Sequence, residues 1–356
     1  MKNEKVKINK KRGKRMLTIL AIIFGSIVLL NLFSLFINQV FFSNELDNLA
    51  PYGELVEVNG KNMHVYSMGD GEETIVLLSG FTVPLPSADF GPLMRELSKS
   101  YTVVCIEYFG VGFSDEIVTP RTNENYTEEI REALSVAGFS APYILMPHSG
   151  SGIYSEYYAS KYPEEVSAII MLDTTSSAET SINVPKFVYS LGKVQQAIGL
   201  ARPFNSIVVS STLGIKKENG YMQTEVDDYT KFMNHYYNDT IADQLLRLNE
   251  NIEEVMSMNF PQDIPILKLI ASETAQGKQT GDKYQNAHMD RLGANAEWRV
   301  IEGNHFLYHG HIEDICIATT TFCKIGVIRK RTPKYGIQFS LKIFTFHSET
   351  NNKMRH

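Results

Sequence analysis

Ser149 and His305 have the side chains and the settings needed for nucleophilic acyl chemistry. A serine hydroxyl is a poor nucleophile at neutral pH and needs a base within hydrogen-bond reach to take its proton. Ser149 lies in the run Ile144-Leu-Met-Pro-His-Ser-Gly-Ser-Gly-Ile153. An apolar strand, Tyr143 to Met146, enters a turn of small residues there, and the helical pattern Ile153 to Tyr162 follows. A strand–turn–helix of this kind strains the serine backbone and lifts Oγ above the strand end, beside a helix N-terminus. The usual spacing for such a turn is Gly-x-Ser-x-Gly; here it reads Pro147-His148-Ser149-Gly150-Ser151, with Gly152 behind. Pro147 fixes φ and removes a backbone donor, so this elbow departs from the pattern. His305 follows an apolar run that ends near Ile301 and precedes a hydrophobic stretch, which makes it the expected base. His309 and His311 sit further along, where a terminal helix would begin, and His148 is expected to pack or hydrogen-bond behind the turn, away from Oγ.

The elements that must position these residues alternate in type. Gly53 to Val58 and Asn62 to Met68 read as a hairpin with its turn at Asn59-Gly60. Thr74 to Leu78, Tyr101 to Glu107, Tyr143 to Met146 and Ser167 to Leu172 are continuous apolar runs suited to strands buried on both faces. Helical patterns over Ser87 to Ser98 and Glu124 to Ala137 separate them, and Ile264 to Ala271 and Trp298 to Ile301 supply the last two strands. The alternation predicts an α/β fold with a mostly parallel central sheet and helices on both faces. The stretch from about Ser176 to Phe260 breaks the rhythm. It is helical, rich in Tyr, Asn and Met, and reads as a lid over the C-terminal edge of the sheet.

Charge is distributed in blocks. Residues 1–15 and 324–356 each carry eight Lys/Arg against one Glu, so with a chain total of −6 the body, residues 16–323, carries −20. So acidic a body gives no sign of a nucleic-acid surface. Met16 to Asn44 holds no charged residue, and Met16 to Ile37 alone is long enough for the roughly 20 apolar residues a membrane span needs. The basic block before it and Glu45 and Asp47 after it predict a single N-terminal transmembrane helix over 16–42, with residues 1–15 cytoplasmic and the body outside. The run is too long for the apolar core of a cleaved signal peptide and lacks a small-x-small cleavage site near its end. Cys105, Cys316 and Cys323 form neither a disulfide framework nor a zinc site.

Four segments in this order resemble the α/β-hydrolase superfamily, over about Leu55 to Tyr308. They are Leu77-Leu-Ser-Gly-Phe81, with Ser79 where the family has His; Glu107-Tyr-Phe-Gly-Val-Gly-Phe-Ser-Asp115; the His148-Ser149 elbow; and Glu302-Gly-Asn-His-Phe-Leu307. More narrowly, the chain resembles membrane-anchored hydrolases of low-GC Gram-positive bacteria. The resemblance implies a Ser-His-acid triad in a domain spanning about 50–323, with the lid at about 176–260. Asp173, in Met171-Leu-Asp-Thr-Thr175, fits the acid best; Glu273, in Ala271-Ser-Glu-Thr274, is the alternative and Asp282 a distant third. The acid would fix the imidazole tautomer and stabilise the imidazolium. The backbone amides of Gly150 and Phe81 would form the oxyanion hole. Serine at 149 disfavours the aspartyl-nucleophile branch of dehalogenases and epoxide hydrolases.

No glycine-rich phosphate loop, metal-ligand cluster or dinucleotide fingerprint competes with this reading, because Gly110-x-Gly112 lacks the third glycine and opens no helix; no cofactor or metal is expected. The expectation is a serine hydrolase on the outer face of a cell membrane, cleaving an ester, thioester or amide of a small apolar acyl compound. An inactive hydrolase fold serving as a tethered binding module is the alternative. The basic segment 324–356, with Arg329-Lys-Arg-Thr-Pro333 turn-like, reads either as an arm for an anionic surface or as an unstructured or altered C-terminus.

Overall fold

The computed structural model describes residues 2–178, 185–276 and 282–331. A 40-residue helix, α1 (Lys2–Phe41), comes first. From Lys14 to Phe41 it is long and apolar enough to cross a membrane, and no residue of that stretch is buried.

The body is built on one eight-stranded sheet of order β1-β2-β4-β3-β5-β6-β7-β8. The hairpin β1 (Glu54–Val58) and β2 (Lys61–Met68) joins β4 (Thr102–Glu107) antiparallel. β3 (Thr74–Leu78), β5 (Tyr143–Pro147), β6 (Val166–Leu172), β7 (Ile266–Ala271) and β8 (Ala296–Ile301) extend β4 in parallel. Strands β5 and β7 are buried along their whole length and β3 and β4 along all but their first residue, which accounts for their unbroken apolar sequence.

Two apolar layers enclose the sheet. One packs α4 (Asn123–Val136) and α5 (Ser151–Lys161) on it through Tyr126, Ile130, Ala133, Tyr154 and Tyr158. The other packs α3 (Gly91–Leu97) and the closing helix α12 (Ile312–Arg331), whose Ile315, Ala318, Thr319 and Phe322 repeat at helical spacing and are all buried. Two details differ from expectation. The helix expected over Ser87 to Ser98 breaks at Phe90 into α2 (Pro86–Asp89) and α3, since Pro92 has no amide to continue the ladder. The basic triplet Arg329–Arg331, expected to be turn-like, prolongs α12; the rest of the C-terminal segment lies outside the described residues.

Between β6 and β7 stand α6 (Lys186–Ile198), α7 (Arg202–Ile207), α8 (Gln223–Met233) and α9 (Asp239–Ser257), the helical insertion expected there. Helix α9 buries Ile241, Leu248, Ile252 and Val255 and packs on Ile153 and Tyr157 of α5. Two short helices, α10 (Ser272–Gln276) and α11 (Asp282–Leu292), link β7 to β8.

Candidate active site

The turn between β5 and α5 holds Ser149 at φ 53°, a left-handed conformation that serine rarely adopts. Three hydrogen bonds fix it. Ser149 N donates to Leu172 O (3.2 Å), and its own carbonyl accepts from Gly152 N (3.1 Å) and Thr175 N (3.0 Å). The departures from the usual elbow are accommodated locally. The Ser149 amide points toward β6, so two residues earlier the donor that Pro147 lacks would also have faced β6. The β5–β6 ladder accordingly skips from Leu145–Ile169 to the single bridge His148–Leu172. Ser151, in place of the second glycine, is buried and bonds the Tyr108 hydroxyl (2.8 Å) while donating to Ser79 O. It thereby ties the loops after β3 and β4 to the elbow.

Two glycines of the site are closely approached. A Cβ on Gly80 would lie 2.6 Å from Ser149 Cβ, and one on Gly150 would lie 2.3 Å from the Phe81 ring. Among the described residues neither the Phe81 nor the Gly150 amide donates a hydrogen bond. Gly150 stands at the N-terminus of α5, where unpaired amides and the helix dipole favour negative charge.

His305 lies in the loop between β8 and α12, and Asp173 at the end of β6. His305 Nδ1 donates to Asp173 Oδ2 (2.6 Å), and Nε2 lies 2.8 Å from Ser149 Oγ. A carboxylate offers only acceptors, so the Nδ1 proton is held there and Nε2 is left to accept from the serine hydroxyl. Asp173 is buried, sits at φ 45°, and accepts further bonds from Ala271 N (2.9 Å) and the Thr274 hydroxyl (2.6 Å). These donors stabilise its charge where water cannot. Of the other expected acids, Glu273 is exposed on α10 and its amide donates to Gly303 O (3.2 Å). Asp282 opens α11, and its side chain lies outside the described residues.

His148 is fully buried behind the elbow, as expected, and Nε2 donates to the His305 carbonyl (3.0 Å). Burial, reinforced by the neighbouring His305, pushes its pKa well below the ordinary range, so it stays neutral. His309 is also buried, between Asp89 Oδ1 (2.9 Å) and Leu213 O, and takes no part in the Ser149 contact.

Two contacting residues were not legible beforehand. Thr274 stands next to Glu273, and a reading that weighed hydroxyl donors as well as carboxylates would have reached it. Tyr236, between α8 and α9, accepts a bond from Thr82 N (2.8 Å), one residue beyond Phe81. No local pattern marks that contact, because it joins the insertion to a loop 154 residues away.

A family model described as the alpha/beta hydrolase fold matches residues 73–311, more than half of the chain. The chain belongs to the α/β hydrolase family. As an α/β hydrolase it is 28% identical over 313 residues to an uncharacterized protein of Bacillus subtilis (strain 168), YbdG, covering 83% of this chain and 93% of the relative. It is 25% identical to a 2-(acetamidomethylene)succinate hydrolase of Mesorhizobium japonicum, over 48% of this chain and 62% of that one. Among solved structures, an epoxide hydrolase from Vigna radiata superposes with a TM-score of 0.61 at 19% identity, over 76% of this chain and 97% of that one, a likeness of fold. Family and fold together make the chain a hydrolase.

Proposed function

We propose that this α/β hydrolase is a membrane-tethered serine hydrolase that cleaves an ester, thioester or amide of an apolar acyl compound. The observation that carries the reading is the continuous relay from Asp173 through His305 to Ser149, at 2.6 and 2.8 Å. In it, Ser149 Oγ attacks the acyl carbonyl as its proton passes to His305 Nε2. Asp173 holds the ring and stabilises the imidazolium, and the amides of Gly150 and Phe81 bind the oxyanion. The imidazolium returns its proton to the leaving group. Water then attacks the acyl-enzyme, with His305 as base, and releases the acid.

Serine at 149 supports acyl chemistry over the epoxide opening named for the Vigna radiata neighbour. The intact relay also weighs against an inactive binding module, the alternative that Pro147, Ser151, Ser79 and the choice between two acids speak for. The membrane reading rests on α1, its basic N-terminal flank and the acidic residues that follow it, which support a cytoplasmic N-terminus and an external body. Labelling by a fluorophosphonate probe tests the chemistry: labelling of the native chain that is absent from Ser149→Ala supports it, and equal labelling of both contradicts it.

A further inference from the structure

The insertion is bonded to the outer end of α1. Ser34 Oγ donates to Ile198 O (2.8 Å), and Asn38 Nδ2 donates to Gln196 O (3.2 Å) and Ala197 O (3.0 Å), all at the end of α6. Arg202, at the start of α7, donates to Asn38 Oδ1 (3.0 Å) and Glu45 Oε1 (2.5 Å), and its guanidinium lies over the Phe42 ring. His235 reaches the same Glu45 oxygen at 2.8 Å. About 20 residues counted from Met16 end the hydrocarbon core near Leu35. The bonded turns, Ser34 to Phe42, therefore lie at the outer boundary of the bilayer.

Helix α6 has two opposite faces. At about 100° per residue, Tyr189, Gly192 and Gln196 share one side. That side meets the rest of the insertion: the Tyr189 and Tyr237 rings are 5.6 Å apart, a Cβ on Gly192 would touch the Tyr237 ring, and Gln196 bonds the Tyr237 backbone. Phe187, Leu191 and Val194 share the other side, and each is more than half exposed, as are Phe204 and Ile207 on α7. Five large apolar side chains on two successive short helices are costly in water and stabilising at the boundary of headgroups and acyl chains. Between α1 and the start of α7 runs a groove of about 430 Å³, lined mainly by Leu30, Phe33, Ile37, Leu200 and Pro203.

We propose that the outer face of α6 and α7 is seated in the outer boundary of the bilayer that α1 crosses, so that the lid opens onto lipid and the substrate is a membrane-resident acyl lipid. The inference rests on the anchored serine-hydrolase reading and names its substrate class. Its link to the chemistry is short: Tyr237, against the inner face of α6, adjoins Tyr236, which holds the Thr82 amide beside Phe81.

The test uses the full chain in phosphatidylcholine vesicles with bromines at defined acyl positions. The chain has a single tryptophan, Trp298, so a Trp298→Phe background carries one reporter at a time. Bromines near the headgroup should quench Leu191→Trp at least about three times more than Leu246→Trp, which lies exposed on α9. Equal quenching of the two overturns the proposal. Phe24→Trp reports on α1: no quenching there overturns the anchor and this inference with it, whereas failure of Leu191→Trp alone leaves the anchor standing. Phe187→Ser with Leu191→Ser should lower turnover of a long-chain ester embedded in vesicles about tenfold and leave a water-soluble short-chain ester within about twofold. Equal loss on both esters overturns the substrate assignment. Absence of fluorophosphonate labelling would instead remove the chemistry and leave the quenching result intact.

Discussion

Asp173 Oδ2 stands 2.6 Å from His305 Nδ1, and the same oxygen accepts the Thr274 hydroxyl at 2.6 Å. The carboxylate bonded to the histidine comes from the end of β6, and the hydroxyl bonded to that carboxylate comes from α10, just after β7. The expectation is that Asp173→Asn lowers kcat about 10³- to 10⁴-fold, by losing the Nδ1 acceptor and with it the tautomer. Glu273→Gln, on the exposed alternative acid, should leave kcat within about twofold. Steady-state kinetics on both variants decides between them, and the reverse ranking would move the acid to Glu273.

Gly80 and Gly150 are set by contact with Ser149 and Phe81 respectively. Gly80→Ala pushes a methyl against Ser149 Cβ and His148, and neither can retreat within the packed elbow. It should fold with a loss of about 1–3 kcal/mol and lower kcat/KM by at least about 10² through displacement of the serine. Gly310→Ala meets nothing within 4 Å and serves as the control. Thermal melts and kinetics on both variants check this, and an active Gly80→Ala would contradict it.

Tyr236→Phe removes the acceptor of the Thr82 amide, in a loop where Thr82 itself is held at φ 65°. The loss should cost about 1 kcal/mol of stability. It should also lower kcat roughly tenfold with KM little changed, since the Phe81 amide would then be less well aimed at the oxyanion. A change in KM alone would show that Tyr236 acts on binding instead.

The sequence displayed the elbow and His305 because each is a local pattern: a strand, a turn of small residues, a histidine after a strand end. The acid was harder to read. Asp173 and Glu273 both follow strands, and which of them reaches His305 is set by how the loops after β6, β7 and β8 fold over the sheet edge, which no local pattern shows. The contact of Tyr236 is set wholly by tertiary packing and has no periodicity to reveal it. For the closing helix only a start near His311 was legible, because the basic run Arg329–Pro333 suggested a turn while the ladder of α12 carries on to Arg331.

Lys268 is buried on β7 beside His288, and His288 in turn donates to Glu156 Oε1 (2.8 Å). Burial pulls the Lys268 pKa down to about 8, with Glu156 and Asp173 opposing the shift. The unfolded chain keeps a lysine near 10.4, so between those values it binds a proton that the folded chain does not. Stability from this group therefore rises as pH climbs from about 8 to 10.4. Raised tyrosine pKa values act in the opposite sense near the top of the range, but they cancel in a comparison with Lys268→Met. Denaturant melts at several pH values should show the native chain gaining on the order of 1–3 kcal/mol relative to Lys268→Met across that window. A flat difference would contradict it.

The central claim is that Ser149 is activated by His305. The most direct measurement is fluorophosphonate labelling of the full-length protein, of Ser149→Ala and of His305→Ala, each first shown by thermal melting to be folded. The account predicts rapid labelling of the native chain, none of Ser149→Ala, and labelling of His305→Ala slowed by at least about 10³-fold. A folded native chain that does not label, or a His305→Ala chain that labels at the native rate, would contradict it.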